Sequence, residues 1–320
     1  MTHFCSSRVT FALCSFLTIA FCLAPYSASA ARLKDLSATP YKGAIVIDAD
    51  TGQILIEDKS DTKGYPASVL KLMDLLIILD KVQEGKLSLQ DNVTTTAEAS
   101  KIGGSQVYLK ENEVFTVDEL LYALMVQSAN DAATALAIHL AGSKDGFVAL
   151  MNERAKSLGM KSTEFHSVHG LPPGKEQQAD ITTARDLSRL CREVLKYPDT
   201  LRYTSTHKRG FRDDKFILET HNRLMKKMEG CDGLKTGWFK KAGYSIAATA
   251  KRGDTRLIAI VLGSTDRATR DRKAAELLAK GFLKAPKKKI IPPPPPPVTN
   301  APPAKTGWWQ RLFGSAGNKH

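Results

Sequence analysis

The stretch CDGLKTGWFKKAGYSIAATAKRGDTRLIAIVLG, residues 231–263, decides the fold. Its latter part, residues 242–263, holds two apolar, strand-like runs around Arg252-Gly253-Asp254, the pattern of an antiparallel hairpin. Ahead of it the segment around Lys235-Thr236-Gly237 supplies a further strand. A second hairpin lies near the other end, in AIVIDADTGQILIED (residues 44–58), turning at Asp50-Thr51-Gly52. Helical signals fill the interval. ASVLKLMDLLIILDKVQEG (67–85) is a long apolar helix, and Thr116-Val117-Asp118-Glu119 is a capping box opening the helix VDELLYALMVQ. NDAATALAIHLA stops at Gly142, another helix runs to Gly159, and residues 183–196 form one more. An amphipathic helix closes the domain from about residue 267 to 283. Strands at both ends with helices between them predict an α+β fold, a mostly antiparallel sheet flanked by helices with a helical insertion.

The chain of 320 residues carries a net charge of +13, unevenly spread. Residues 1–30 contribute +1 and residues 284–320 contribute +7, so only +5 falls on the intervening 253 residues. Basicity is therefore mainly a property of the tail, which argues against a nucleic-acid-binding core and suits an anionic surface. Residues 1–30 read as a signal peptide: Arg8, an apolar run of 16 residues from Val9 to Ala24, then the small-residue site Ala28-Ser29-Ala30. The run is short for a membrane span. Three of five cysteines lie in this segment, which leaves Cys191 and Cys231, enough for one disulfide but not for a disulfide framework. A domain at 31–285 is followed by a Pro-rich spacer at 286–304, extended at about 3.1 Å per residue. In the final segment, 305–320, WWQRLF places Trp308, Trp309, Leu312 and Phe313 on one face of a short helix beside Lys305 and Arg311. That is the pattern of a membrane-interface contact; an unstructured tail with a few sticky residues fits the segment equally well.

Ser-x-x-Lys occurs three times, at Ser60–Lys63, Ser68–Lys71 and Ser205–Lys208. The first lies in a solvated turn and the third in a polar stretch after Pro198. Only Ser68–Lys71 opens an apolar helix, with the serine in the first turn and the lysine one turn on along the same face. A serine hydroxyl needs a base before it becomes a nucleophile, and a lysine serves only when burial or a second cation keeps it neutral near pH 7. Alone, the motif is more simply a helix cap followed by an exposed lysine. Ser128-Ala129-Asn130 falls between two predicted helices, where both residues could equally be caps. In chemical terms it offers a proton relay and an amide to hold a substrate. KTGW occurs twice. The copy at Lys235–Trp238 lies on a predicted strand, where glycine permits close approach of a ligand and the lysine and threonine can grip a carboxylate. The copy at Lys305–Trp308 sits beyond the domain among prolines and is read as coincidence.

In this order the three motifs form a set shared by penicillin-binding proteins and related β-lactamases. The sequence closely resembles the D-alanyl-D-alanine carboxypeptidases, the low-molecular-mass penicillin-binding proteins, from about residue 44 to 282. The likeness extends through QVYLKENEVFTVDELLYALMVQSANDAA, HGLP, TTARDL, NRL and DGLKTGW…AGY. It implies a β-lactamase/transpeptidase-like fold with an all-helical subdomain. In it Ser68 is acylated by the peptide bond before a terminal D-alanine, with Lys71 as base and Ser128 and Asn130 assisting proton transfer and placement. Lys235, Thr236 and Gly237 hold the free carboxylate, and the backbone N–H groups of Ser68 and Trp238 form an oxyanion hole worth about 3 kcal/mol per donor. Arg270 on the last helix is the expected carboxylate-binding arginine, with Arg267 and Arg272 as neighbours. β-Lactam antibiotics and peptidoglycan stem peptides are the expected partners. The N-terminal signal implies export to the cell envelope, and no cofactor is expected.

Two departures stand out. Trp238 occupies a position where many relatives have histidine, and the Pro-rich spacer replaces a second, β-rich domain. A DD-endopeptidase with the same site and a catalytically dead cell-wall binding protein are the alternatives. A β-lactamase ranks low, because no Glu-x-x-Leu-Asn segment is present. His166 and His169 have no Cys or carboxylate arrangement that would complete a metal site, and no Gly-rich loop suits a phosphate.

Overall fold

The computed structural model describes Met1 and residues 41–175 and 177–286. The segments read as a signal peptide and a Pro-rich spacer, apart from Met1 and Pro286, and WWQRLF with the second KTGW lie outside the described residues. Five strands form one antiparallel sheet: β1 (Gly43–Asp48), β2 (Ile54–Asp58), β7 (Cys231–Phe239), β8 (Gly243–Arg252) and β9 (Thr255–Ser264), in the order β2-β1-β9-β8-β7. The two predicted hairpins are thus present, and β1 joins them by pairing with β9 from Gly43↔Leu262 to Asp48↔Leu257.

All six residues of β1 are buried, so both faces of the sheet are covered. Alternation along the strand sorts them. Ile45 and Ile47 join the large core built by the helices, whereas Val46 faces Gly281 of α8 (Arg267–Lys284) on the other side. The layers are therefore α8, the sheet and a helical body. This α+β architecture is the one read from the sequence.

The helical body is centred on α1 (Lys71–Gln83), buried at every residue from Lys71 to Leu79, as expected of a helix apolar on all sides. Against it or beside it lie α3 (Val117–Tyr122), α4 (Asn130–Ala141), α5 (Lys144–Ser157) and α6 (Ala184–Val194). Short pieces complete the described chain: α2 (Ala97–Ser100), the pair β3 (Asn92–Thr94) and β4 (Val114–Thr116), α7 (Asp199–Thr204), the hairpin β5 (Lys208–Phe211) with β6 (Phe216–Glu219), a 3₁₀ turn at Arg223–Lys226, and the two turns at 67–70 and 123–127 described below.

Several local readings need correction. Residues 67–70 form a 3₁₀ turn leading into α1 rather than part of the α-helix. The Thr116–Glu119 capping box is present, but its helix relaxes into a π turn at Ala123–Gln127 and ends with Ser128 in the left-handed region at φ 62°. π turns of this kind gather at functional sites. Ser60 is not solvated. It is 5% exposed, and its hydroxyl bonds Glu57 and Arg185. Ser205 is the C-cap of α7 and Lys208 begins β5, so the polar stretch after Pro198 joins two regular elements. Cys191 and Cys231 are both buried and both free.

Candidate active site

Ser68 reaches its position through a strained turn. Ala67 immediately before it has φ 48°, a left-handed conformation that costs about 1 kcal/mol or more in a non-glycine residue. Two glycines let other segments close on that turn. A Cβ on Gly237 would lie 2.6 Å from the Pro66 carbonyl oxygen and 2.9 Å from the backbone nitrogens of Ser68 and Val69. A Cβ on Gly170 would lie 2.3 Å from the Ala67 carbonyl oxygen. Strand β7 and the HGLP loop are therefore seated directly on the serine turn, as only residues without side chains allow.

One helical turn after Ser68, the Lys71 ammonium is fully buried. Its Nζ lies 3.2 Å from Ser68 Oγ, 2.8 Å from Asn130 Oδ1 and 2.7 Å from the His169 carbonyl oxygen. Burial pushes this lysine down to about 8, against an opposing pull from Asp74, Asp180 and Asp131. An amine with that value is neutral in a useful fraction of molecules near neutrality, as a general base requires.

Asn130 is held from three sides. Its N–H donates to the Ser105 carbonyl at 2.8 Å, and its side-chain amide donates to the Gly103 carbonyl at 2.8 Å while accepting from Lys71. Ser105 Oγ in turn donates to the Gln127 carbonyl at 2.7 Å, which ties loop 103–105 to the π turn before Ser128. The Ser128 hydroxyl has no hydrogen-bond partner among the described residues and lines the cleft, although the residue is only 3% exposed.

On the opposite wall, β7 is the edge strand of the sheet and carries Lys235, Thr236 and Gly237, all buried. Lys235 Nζ donates to the Thr236 carbonyl at 3.1 Å. Burial first, then Lys71 and Arg270, hold this amine well below the ordinary lysine range. Arg270, 2% exposed, also lines the cleft and is anchored by Asp271, with Nε and Nη2 at 2.9 and 2.6 Å from one carboxylate oxygen. Arg267 borders the cleft as well. Arg272 instead bonds Thr269. Trp238 is half exposed at the rim and stacks on Tyr244, ring centroids 5.5 Å apart.

The three motifs thus meet at a single cleft of about 410 Å³, with Ser68, Ser128 and Asn130 facing Thr236, Gly237 and Trp238. Another cavity of about 530 Å³, lined by Asp80, Arg154 and Tyr197, includes none of these residues.

Sequence reasoning missed the loops that bracket the cleft. The His169 carbonyl and the Gly103 and Ser105 carbonyls act through the backbone, which leaves no side-chain signature. The HGLP loop is fixed by Asp180, which accepts from His166 N, Ser167 N and Ser167 Oγ at 2.7–2.9 Å. His221, at the far end of the cleft, was not singled out either. Desolvation of its ring, then the cations Lys235, Arg267, Lys71 and Arg270, hold it down to about 4 although the residue as a whole has solvent access. Among the described residues no group of His, Cys, Asp and Glu side chains is placed to bind a metal.

The sequence of residues 28–266 matches the family profile described as D-alanyl-D-alanine carboxypeptidase, peptidase family S11. The chain belongs to this family. Among its S11 relatives, the D-alanyl-D-alanine carboxypeptidase DacF of Bacillus subtilis is 36% identical over 244 residues, covering 75% of this chain and 62% of DacF. DacC of Escherichia coli is 34% identical over 271 residues, covering 82% of this chain and 66% of DacC. The chain therefore spans just under two thirds of the length of these curated relatives. Solved structures of penicillin-binding proteins share the fold. Penicillin-binding protein D2 of Listeria monocytogenes, solved in an ampicillin-bound form, superposes with a TM-score of 0.69 at 32% identity, covering 76% of this chain and 98% of that one. Penicillin-binding protein 6B of Escherichia coli gives 0.71 at 31% identity, covering 76% and 78%. The fold is that of the β-lactamase/transpeptidase-like DD-peptidases.

One buried group in this S11 site is unusual. Asp74, one turn beyond Lys71 on α1, is 2% exposed, and neither of its carboxylate oxygens has a hydrogen-bond partner. Burial raises its carboxyl well above the ordinary range, with Lys71 pulling the other way. The consequence for stability has a definite sign. Below about pH 4 the carboxyl is protonated whether the chain is folded or not. Above that pH the unfolded chain releases the proton and the folded one resists, so stability is lost at up to about 1.4 kcal/mol per pH unit until the folded group titrates. Asp74→Asn removes the titration. Its melting temperature relative to wild type is expected to rise between pH 4 and pH 7, and a pH-independent difference would show that Asp74 is ionised without penalty. Comparing two pH values cancels the fixed cost of the buried amide.

Proposed function

We propose that this chain is a serine-type D-alanyl-D-alanine carboxypeptidase that trims the terminal D-alanine from peptidoglycan stem peptides and is acylated by penicillin. The observation that carries this reading is the 3.2 Å contact between Lys71 Nζ and Ser68 Oγ, inside the cleft where the Ser-x-Asn and Lys-Thr-Gly segments meet.

Neutral Lys71 takes the Ser68 proton, and Oγ attacks the carbonyl carbon of the penultimate D-alanine. The negative charge on the tetrahedral oxygen falls to the N–H groups of Ser68 and Trp238. Lys235, Thr236 and Arg270 hold the terminal carboxylate, and Asn130 holds the peptide amide. The C–N bond breaks as a proton passes through Ser128 to the leaving amine, and free D-alanine departs. Water, activated by the same lysine, then hydrolyses the ester and restores Ser68. A β-lactam follows the first step only, because its leaving amine stays tethered to the acyl group.

Digestion of pentapeptide muropeptides is expected to give tetrapeptide plus D-alanine by mass spectrometry, with a fluorescent penicillin labelling the protein. No labelling and no D-alanine would leave the non-catalytic reading. Within the same proposal the chain is exported to the cell envelope and its tail, 305–320, rests on the anionic membrane surface. Membrane fractionation with and without the tail tests this, and unchanged partitioning refutes it.

A further inference from the structure

The residue after Asn130 is also an acid, and it does not line the cleft. Asp131 lies in the first turn of α4 and is 1% exposed. Its carboxylate accepts from Val107 N at 3.2 Å, from Leu109 N at 3.0 Å and from Ala132 N at 3.0 Å. No lysine or arginine among the described residues pairs with it. A buried carboxylate held only by N–H groups, at the positive end of a helix, is an anion fixed by backbone alone. In return it fixes the segment that supplies those groups.

That segment is gripped from its other side as well. Arg212, in the turn between β5 and β6, donates from Nη1 to the Val107 carbonyl at 2.5 Å and from Nη2 to the Tyr108 carbonyl at 2.8 Å. The same guanidinium closes on both carboxylate oxygens of Glu113 at 2.7 Å. Between the two grips Tyr108 has φ 57°, a conformation that a bulky residue keeps only where its surroundings impose it. Two residues before Val107 lies Ser105, whose carbonyl accepts from Asn130 N, and Gly103, whose carbonyl accepts from the Asn130 amide, is two residues further back. Gly104 and Ser105 are themselves part of the cleft wall.

We propose that Asp131 is a positioning residue for the reaction: with Arg212 it clamps residues 107–109, and through the Gly103 and Ser105 carbonyls it sets the Asn130 amide against Lys71 and the substrate. The inference rests on the carboxypeptidase reading of the Ser68 cleft and adds to it two residues outside the cleft lining. The charge of Asp131 has a separate effect. Lys71 feels Asp74 on its own helix, Asp131 on α4 and Asp180 ahead of α6, with Lys235 on β7 and the rings of His169 and His221 on its other sides. Each anion favours the ammonium form of the lysine. Asp131 therefore places the amide while making the base harder to deprotonate, and substitution separates the two roles.

The test is the pH dependence of acylation by a fluorescent penicillin, with circular dichroism as the check that each full-length variant folds. Arg212→Ala and Asp131→Glu keep the negative charge near Lys71 but open or misfit the clamp. Both are expected to lower the plateau rate about tenfold, with the acid limb where the wild type has it. Asp131→Asn should lower the plateau similarly and move the limb to lower pH. Its rate at pH 6, relative to its own plateau, should be about threefold above that of the wild type. Loss of stability alone would scale the rate equally at every pH and leave the limb in place. Wild-type plateau rates in Arg212→Ala and Asp131→Glu would overturn the clamp, and an unmoved limb in Asp131→Asn would overturn the charge effect. If Asp131→Asn does not fold, Arg212→Ala still decides the positioning role, since it opens the clamp from outside. A wild type that penicillin does not label would instead remove the carboxypeptidase reading beneath it.

Discussion

Ser68→Ala is expected to abolish labelling by fluorescent penicillin and to lower D-alanine release by about 10⁴-fold or more, and Lys71→Ala to do nearly the same. Groups that act as one unit are strongly non-additive, so the double variant should be little worse than either single one. The two substitutions differ in what else they change. Ser68→Ala leaves Lys71 bonded to Asn130 and the His169 carbonyl, and therefore leaves the cleft assembled. Lys71→Ala removes the only described tie among these three and should also loosen loop 166–171. In the wild type, acylation should fall about tenfold per pH unit below about 8, because the base works only as the free amine and its value is pushed down to about 8 by burial. That limb of the profile belongs to Lys71, and any residual acylation by Lys71→Ala should lack it. Efficient acylation by Lys71→Ala, with the limb intact, would assign the proton transfer elsewhere.

The second large effect is expected at Gly237. A methyl group there meets the Pro66 carbonyl oxygen and the amide nitrogens of Ser68 and Val69 at 2.6–2.9 Å, and all three are backbone atoms that cannot rotate away. Gly237→Ala must push β7 and the serine turn apart. Misplacement of reacting groups by about an ångström costs on the order of 10²-fold in rate, so acylation by penicillin should drop by that factor. Circular dichroism should remain native, since the displaced segment is at the edge of the sheet. An alanine variant that acylates at the wild-type rate would show that the two segments separate without consequence.

What the sequence made legible depended on side chains. Alternation in residues 44–58 and 242–263 marked four strands, and the apolar run after Ser68 marked α1. The three motifs were readable because each needs particular side-chain chemistry. The order of strands was not readable, since nothing in β1 announces β9 as its neighbour. The hairpin of β5 and β6 was missed because KRGF and FILE are too short and too charged at one end to show a period. The π turn before Ser128 was missed because its residues are good helix formers, and only the left-handed serine after them shows where the helix must end. Carbonyl contacts to Lys71 and Asn130 depend on where loops pass rather than on what they are made of. The unpartnered Asp74 could be seen as a residue but not as an anomaly, because burial is a property of the fold.

The pairing of β1 with β9 has a consequence for how the molecule comes into being. Gly43, near the start of the described chain, is hydrogen-bonded in register with Leu262, near its end. β1 can pair early with β2, but its other edge stays unmatched until β9 has left the ribosome. High contact order of this kind slows folding, and a chain that cannot close early stays threadable. For the export proposed above, that delay lets translocation begin before a native core has formed to block it.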